Sequence, residues 1–111
     1  MKESDYRQAS ALFAALGAAS RLHILQLLNK GGLCVGALSR LTGISAGAVS
    51  QHLRILRSAG LVVGERRGYF VHYRLAPTAR RRLTIALGQL FNQKGGRRCA
   101  VKGQTASSRK T

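Results

Sequence analysis

Apolar residues along this chain recur first with a helical period and then, past Gly60, with a period of two. Ser4 or Asp5 offers an N-cap for a first helix to about Leu16, where Gly17 ends it. Its small apolar residues Ala9, Ala11, Leu12, Ala15 and Leu16 favour close packing against another helix. Ser20 is placed to cap "RLHILQLLNK", with Leu22, Ile24, Leu25 and Leu28 as the buried face and Gly31-Gly32 as the stop. A short helix is expected at about Val35 to Leu41, followed by the tight turn "TGIS" from Thr42 to Ser45. The stretch "ISAGAVSQHLRILRSAGLV" then spells one amphipathic helix, with Ser45 as N-cap and Gly60 as C-cap. Val49, Leu53 and Leu56 face inward on it. Gly47, Gln51, Arg54 and Ser58 fall together on the opposite side, flanked by Ser50 and Arg57.

Two short β-rich runs come next, Leu61 to Gly64 and Tyr69 to Leu75, joined by "ERRG". In the second, Tyr69, Val71, Tyr73 and Leu75 alternate with Phe70, His72 and Arg74, the signature of a half-buried strand. Gly68 supplies the positive φ that a hairpin turn requires, which places Arg66 and Arg67 at the tip. Pro77 opens a last helix through about Asn92, with Leu83, Ala86, Leu87 and Leu90 on one face and Arg80 to Arg82 solvating its first turns. Two helices joined by a short Gly-containing turn, with a hairpin directly behind them, make a winged helix-turn-helix. The expected fold is mainly α with a small β-hairpin. It occupies residues 1–93, and residues 94–111, with six basic residues and no acid, are expected to be a disordered basic tail.

Charge changes the picture most. Nineteen Lys and Arg against three acids leave a net charge of +16 on 111 residues, which favours a polyanionic partner. No apolar run approaches the roughly 18 residues that a membrane span needs. "ALFAALGAA" (Ala11 to Ala19) is too short and reads as a buried helix, and Glu3 and Asp5 do not fit a secretory leader. The carboxylates are Glu3, Asp5 and Glu65, too scattered for a general acid and base pair. No nucleophile, phosphate-loop or zinc-protease motif occurs, so neither an enzyme nor a cofactor is expected. Cys34 and Cys99 lie far apart and suit a reducing cytoplasm better than a disulfide framework. No metal ligand set is assigned among the histidines. His23 is expected near the apolar face of the second helix, His52 at the rim of the core face or on phosphate, and His72 in solvent.

"SRLHILQLL", "GISAGAVSQHLRILRSAGLV" and "GYFVHYRL" stand in an order and spacing that resemble the ArsR/SmtB family of small bacterial repressors. The likeness covers Ser20 to Leu75, and Tyr6 to Phe91 more loosely. It implies a homodimer joined through the first and last helices. It also implies a repressor released from its operator by a metal, metalloid or thiol-redox signal. Two departures bear on that signal. The family's thiolate box resembles "ELCVCDL", where this chain has "GLCVGAL", so Cys34 remains while Gly36 and Ala37 replace a Cys and an acid. One thiolate cannot build a soft-metal site alone. The family's other site draws Asp, His and Glu partly from the last helix, and residues 77–93 contain no Asp, Glu, His or Cys. Some members use two cysteines as a dithiol switch, which leaves Cys34 and Cys99 as a possible thiol sensor.

The expected partner is therefore a double-stranded DNA operator, bound by a homodimer, with the inducer unspecified. The residues expected to meet DNA are Ser45, Ala46, Ser50, Gln51, His52, Arg54 and Arg57 on the helix, with Arg66, Arg67 and Tyr69 on the wing. Gly47 offers no side chain to a base, and Ala46 offers only a methyl for thymine. Few base edges are then read directly, and phosphate contacts and DNA shape carry more of the recognition. The alternative is a non-specific chromatin-like or RNA-binding basic protein.

Overall fold

Ile24, Leu38, Val49, Leu53, Leu56, Leu61 and Val62, each at most 2% exposed, meet at the centre of the molecule. The computed structural model describes residues 1–92. Cys99 and the basic stretch 94–111 lie outside the described residues. Around the centre run α1 (Glu3–Ala15), α2 (Ala19–Leu28), β1 (Leu33–Cys34), α3 (Val35–Thr42), α4 (Ala46–Ser58), β2 (Val62–Arg67), β3 (Phe70–Leu75) and α5 (Ala79–Leu90). The winged helix-turn-helix is present: α3 and α4 are its two helices, and β2 and β3 are its wing.

The ends of the elements correct several expectations. α1 starts two residues after the chain begins, with Lys2 at the N-cap. Asp5 stands at the third helical position, and its carboxylate accepts from the Lys2 amide at 2.9 Å, one half of a capping box. α2 is capped by Ala18 and not by Ser20, because the chain leaves α1 extended at Ala18 and turns helical at once. Leu22, expected inside, is 52% exposed, while Ile24 and Leu28 carry the buried face. α5 starts at Ala79 and ends at Leu90, shorter than Pro77 and Asn92 suggest, and only Ala79 and Ala86 are fully buried on it.

The sheet has three strands, in the order β1-β3-β2, where sequence led us to expect a two-stranded hairpin. Leu33 pairs with Tyr73 and Cys34 with His72, both antiparallel. A two-residue strand carries no periodicity, so nothing in "GLC" distinguishes it from a loop. β2 also runs further than "LVVG": pairing continues through Arg66↔Val71 and Arg67↔Phe70. The turn is then only Gly68 and Tyr69. Gly68 has φ +64° and no non-glycine residue has positive φ among the described residues, which is the φ pattern of a type II′ hairpin.

Candidate nucleic-acid interface

α4 is fastened at both ends. Ser45 Oγ accepts from the Ala48 amide at 3.1 Å and satisfies one of the amides that the helix start leaves unpaired. At the other end, the Leu61 amide donates to Leu56 O and the Gly60 amide to Arg57 O, both at 2.9 Å. With Gly60 at φ +77°, this is a Schellman motif, and Gly60 stands one residue beyond the cap, which is Ala59. Leu56 and Leu61, both at 0% exposure, supply its hydrophobic contact. The turn before α4 is pinned as well, since Ser39 Oγ donates to Ile44 O at 2.6 Å.

On the outward side, Ser45, Ala46, Gly47, Ser50, Gln51, Arg54 and Arg57 are all exposed, as their spacing predicts. Arg54 Nη1 donates to Gln51 Oε1 at 3.2 Å, so the two residues present a joined edge. With that carbonyl engaged, the edge offers N–H donors outward. His52 does not share this face. Its Nδ1 lies 3.1 Å from Arg21 Nη1 on α2, so its ring is turned back into the domain.

The wing divides its charges between two faces. Arg66 and Arg67 are successive strand residues and point to opposite sides of the sheet, so they do not form a paired tip. Glu65 shares the Arg67 face, and its carboxylate stands 3.6 Å from Arg67 Nη2 and 3.7 Å from Arg74 Nε. Tyr69 forms the tip and is 97% exposed, and Phe70 beside it is 62% exposed. Between α4 and the wing, Ser50, Leu53, Arg54, Arg57 and Tyr73 line a recess of about 260 Å³. A second recess, of about 490 Å³, brings Arg40 of α3 and Cys34 beside the wing residues Tyr69, Phe70, Val71 and Tyr73. Arg40 and Tyr73 were not singled out as site residues from sequence. The signal for Arg40 was its place in the last turn of the helix preceding the recognition helix.

Residues 19–63 match the model of "Bacterial regulatory protein, arsR family", a span from the start of α2 into β2. YgaV, an HTH-type transcriptional regulator of Escherichia coli, is 33% identical over 90 residues, covering 80% of this chain and 91% of that protein. The chain belongs to the ArsR family. The arsenical resistance operon repressor of Escherichia coli is 42% identical over 67 residues, 60% of this chain and 57% of that one. Relatives matched at 42–44% identity are longer proteins, of which the alignments take in 50–59%. Among solved structures, the homodimeric winged helix-turn-helix DNA-binding domain of a possible ArsR-family regulator from Mycobacterium bovis superimposes with a TM-score of 0.66. It is 31% identical, and the overlay covers 80% of this chain and 82% of that one.

In this ArsR-family chain the residues around the thiolate box are arranged by the extra strand. Cys34 is half-buried at the N-cap of α3, and its backbone partner across β1 and β3 is His72. His72 is therefore not a solvated wing residue: its Nδ1 is buried and has no hydrogen-bond partner. Paired residues of an antiparallel ladder project to the same side, which puts the thiol and the imidazole on one face of the sheet. His23, expected near the apolar face, is exposed on α2. Among the described residues, no three or more His, Cys, Asp or Glu group closely enough to hold a metal ion. No single helix there is long and apolar enough to cross a membrane.

Proposed function

We propose that this chain is a transcriptional repressor that binds an inverted-repeat DNA operator as a homodimer. The observation that carries this reading is the joined Gln51–Arg54 edge, exposed on a helix capped at both ends and flanked by a basic wing. Such a helix suits a major groove, and Ser50, Arg57 and Arg66 lie where a groove wall would bring phosphates. Because the Gln51 carbonyl is engaged by Arg54, the edge favours acceptors, guanine N7 and O6 above all, over the mixed edge of adenine. Ala46 is left for a thymine methyl. The high positive charge supplies affinity for any duplex, and this edge supplies the preference.

A dimer is supported by the apolar surface of the terminal helices. Tyr6 on α1, with Ile85, Leu87 and Leu90 on α5 and Phe91 after it, are 44–75% exposed. Several large apolar side chains left exposed on the terminal helices of a small domain suit an interface. For the release signal we favour thiol chemistry at Cys34, which faces His72 across the sheet and is half-exposed.

Binding to the chain's own promoter region and to random duplex at one salt concentration tests the reading. A repressor binds an inverted repeat there about 10³-fold or more tighter than random DNA. Equal affinity for both supports the second reading, a non-specific binder, which the bare first turn at Ala46 and Gly47 favours. For the signal, a persulfide donor should release the wild-type complex and leave the Cys34→Ser complex bound, and release of both would remove Cys34 from the switch.

A further inference from the structure

Sequence alone leaves Arg80 to Arg82 as solvated charges on the first turns of α5, and assigns nothing to Arg21 on α2. The structure gives Arg21 and Arg82 another task. Arg82 Nη1 donates to the carbonyl oxygens of Ala59 and Gly60, each at 3.1 Å. The Ala59 carbonyl caps α4 and the Gly60 carbonyl follows it, at the negative pole of the helix dipole, where a guanidinium is favoured. The same guanidinium occupies the place where a Cβ on residue 60 would stand, so it is seated against the helix end. Midway along α4 a second guanidinium does similar work. Arg21 Nε donates to the carbonyl of Ala15, the last residue of α1, at 2.8 Å, and its Nη1 lies 3.1 Å from His52 Nδ1. A guanidinium can only donate, so His52 accepts through an unprotonated Nδ1.

Arg21 thus ties the end of α1 to the middle of α4, and Arg82 ties α5 to the end of α4. We propose that Arg21 and Arg82 are positioning residues that fix the attitude of α4 against α1 and α5, and thereby the half-site spacing that the protein accepts. This rests on the reading of the chain as a dimer on an inverted repeat. If α1 and α5 form the two-fold interface, the tilt of α4 against them sets the distance between the two recognition helices. Burial of Val49, Leu53 and Leu56 holds α4 onto the core but is non-directional. Hydrogen bonds at two separated points along the helix are directional and resist its roll and tilt. One added base pair displaces a half-site by about 3.4 Å and rotates it by about 35°, so a small change in tilt is legible in spacing.

The test uses the full chain as wild type, Arg82→Ala, Arg82→Lys, Arg21→Ala, His52→Asn and His52→Leu. Affinities are measured on inverted repeats whose spacing changes by single base pairs and on random duplex, over a range of salt. Residual dipolar couplings of the free protein give the orientation of α4 against α1 and α5. The two alanine variants should remain dimeric and bind random DNA within about twofold of wild type, with the salt slope unchanged. Their preference for the best spacing over its one-base-pair neighbours should fall about fivefold or more, and the couplings should show α4 reoriented. Arg82→Lys, with one compact donor in place of a fork, should fall between wild type and Arg82→Ala. His52→Asn keeps an acceptor near Nδ1 and should retain the preference that His52→Leu loses. Unchanged spacing preference with unchanged α4 orientation overturns the proposal. So does equal loss on every DNA with a shallower salt slope, which makes the arginine a phosphate contact. A wild type that prefers no inverted repeat refutes the operator reading, and the couplings then decide alone whether the two links set α4.

Discussion

The recognition helix and the wing both carry exposed arginines, but they are built to opposite standards. α4 buries Val49, Leu53 and Leu56 at 0–2% exposure, carries a side-chain cap at one end and a Schellman motif at the other, and is tied by two arginines. The wing is anchored only at its base, where Val62 is 1% exposed, and every residue from Gly64 to Phe70 is exposed. A helix that must discriminate bases needs its side chains held to a fraction of an ångström. A wing that meets phosphate needs only charge within reach, because every sequence offers the same backbone. On the proposed reading, rigidity is spent where sequence is to be read.

Truncating a large apolar residue in each region gives the largest contrast. Leu53→Ala should lower folding stability by about 2–5 kcal/mol, whereas Phe70→Ala at the wing tip should change it by less than about 0.5 kcal/mol. Thermal unfolding checks both, and comparable losses would mean that the wing is packed as firmly as the helix. In DNA binding, Gln51→Ala should weaken the operator complex by about 1–3 kcal/mol and leave random duplex unchanged. Arg66→Ala should instead weaken both alike and make the salt slope shallower by about one. Equal losses for Gln51→Ala on both DNAs would move that residue to phosphate positioning.

The two turn glycines sharpen the comparison further. Gly60→Ala and Gly68→Ala both force a Cβ into left-handed backbone, at about 1–2 kcal/mol each. At Gly68 nothing stands within 4 Å of the new atom, whereas at Gly60 it displaces the Arg82 guanidinium. The excess loss at Gly60 over Gly68 in chemical denaturation therefore reports the seating of Arg82, and equal losses would show that the guanidinium moves aside freely. A modest effect is expected from Ser45→Ala, about 1 kcal/mol of stability from one lost cap. Its operator affinity, compared at a temperature where both proteins are folded, should follow the fraying of the first turn of α4.

Local patterns determined much of this protein from sequence alone. The 3.6-residue recurrence of Val49, Leu53 and Leu56 places α4 and its outward Gln51 and Arg54, since a helix has one face per period whatever surrounds it. The glycines at 43, 60 and 68 mark turns because only they adopt positive φ cheaply, and all three do so. What the pattern could not contain is anything decided by two distant segments meeting. β1 exists only because β3 offers it a free edge, so Leu33 and Cys34 looked like loop, and His72, read as solvated, pairs with that strand and has a buried ring nitrogen. Ser20 lost its cap to Ala18 because the chain's path out of α1, and not the residue's hydroxyl, set where α2 begins. Arg66 and Arg67 are neighbours in sequence, yet continued pairing of β2 sends them to opposite faces. His52 was expected on DNA, and neither Arg21 nor Arg82 was given a partner from sequence, until packing brought guanidinium groups to a ring nitrogen and to helix-end carbonyls 22 to 31 residues away. Hydrophobic period writes secondary structure into consecutive residues, whereas a hydrogen bond between remote residues depends on coordinates that no local window holds.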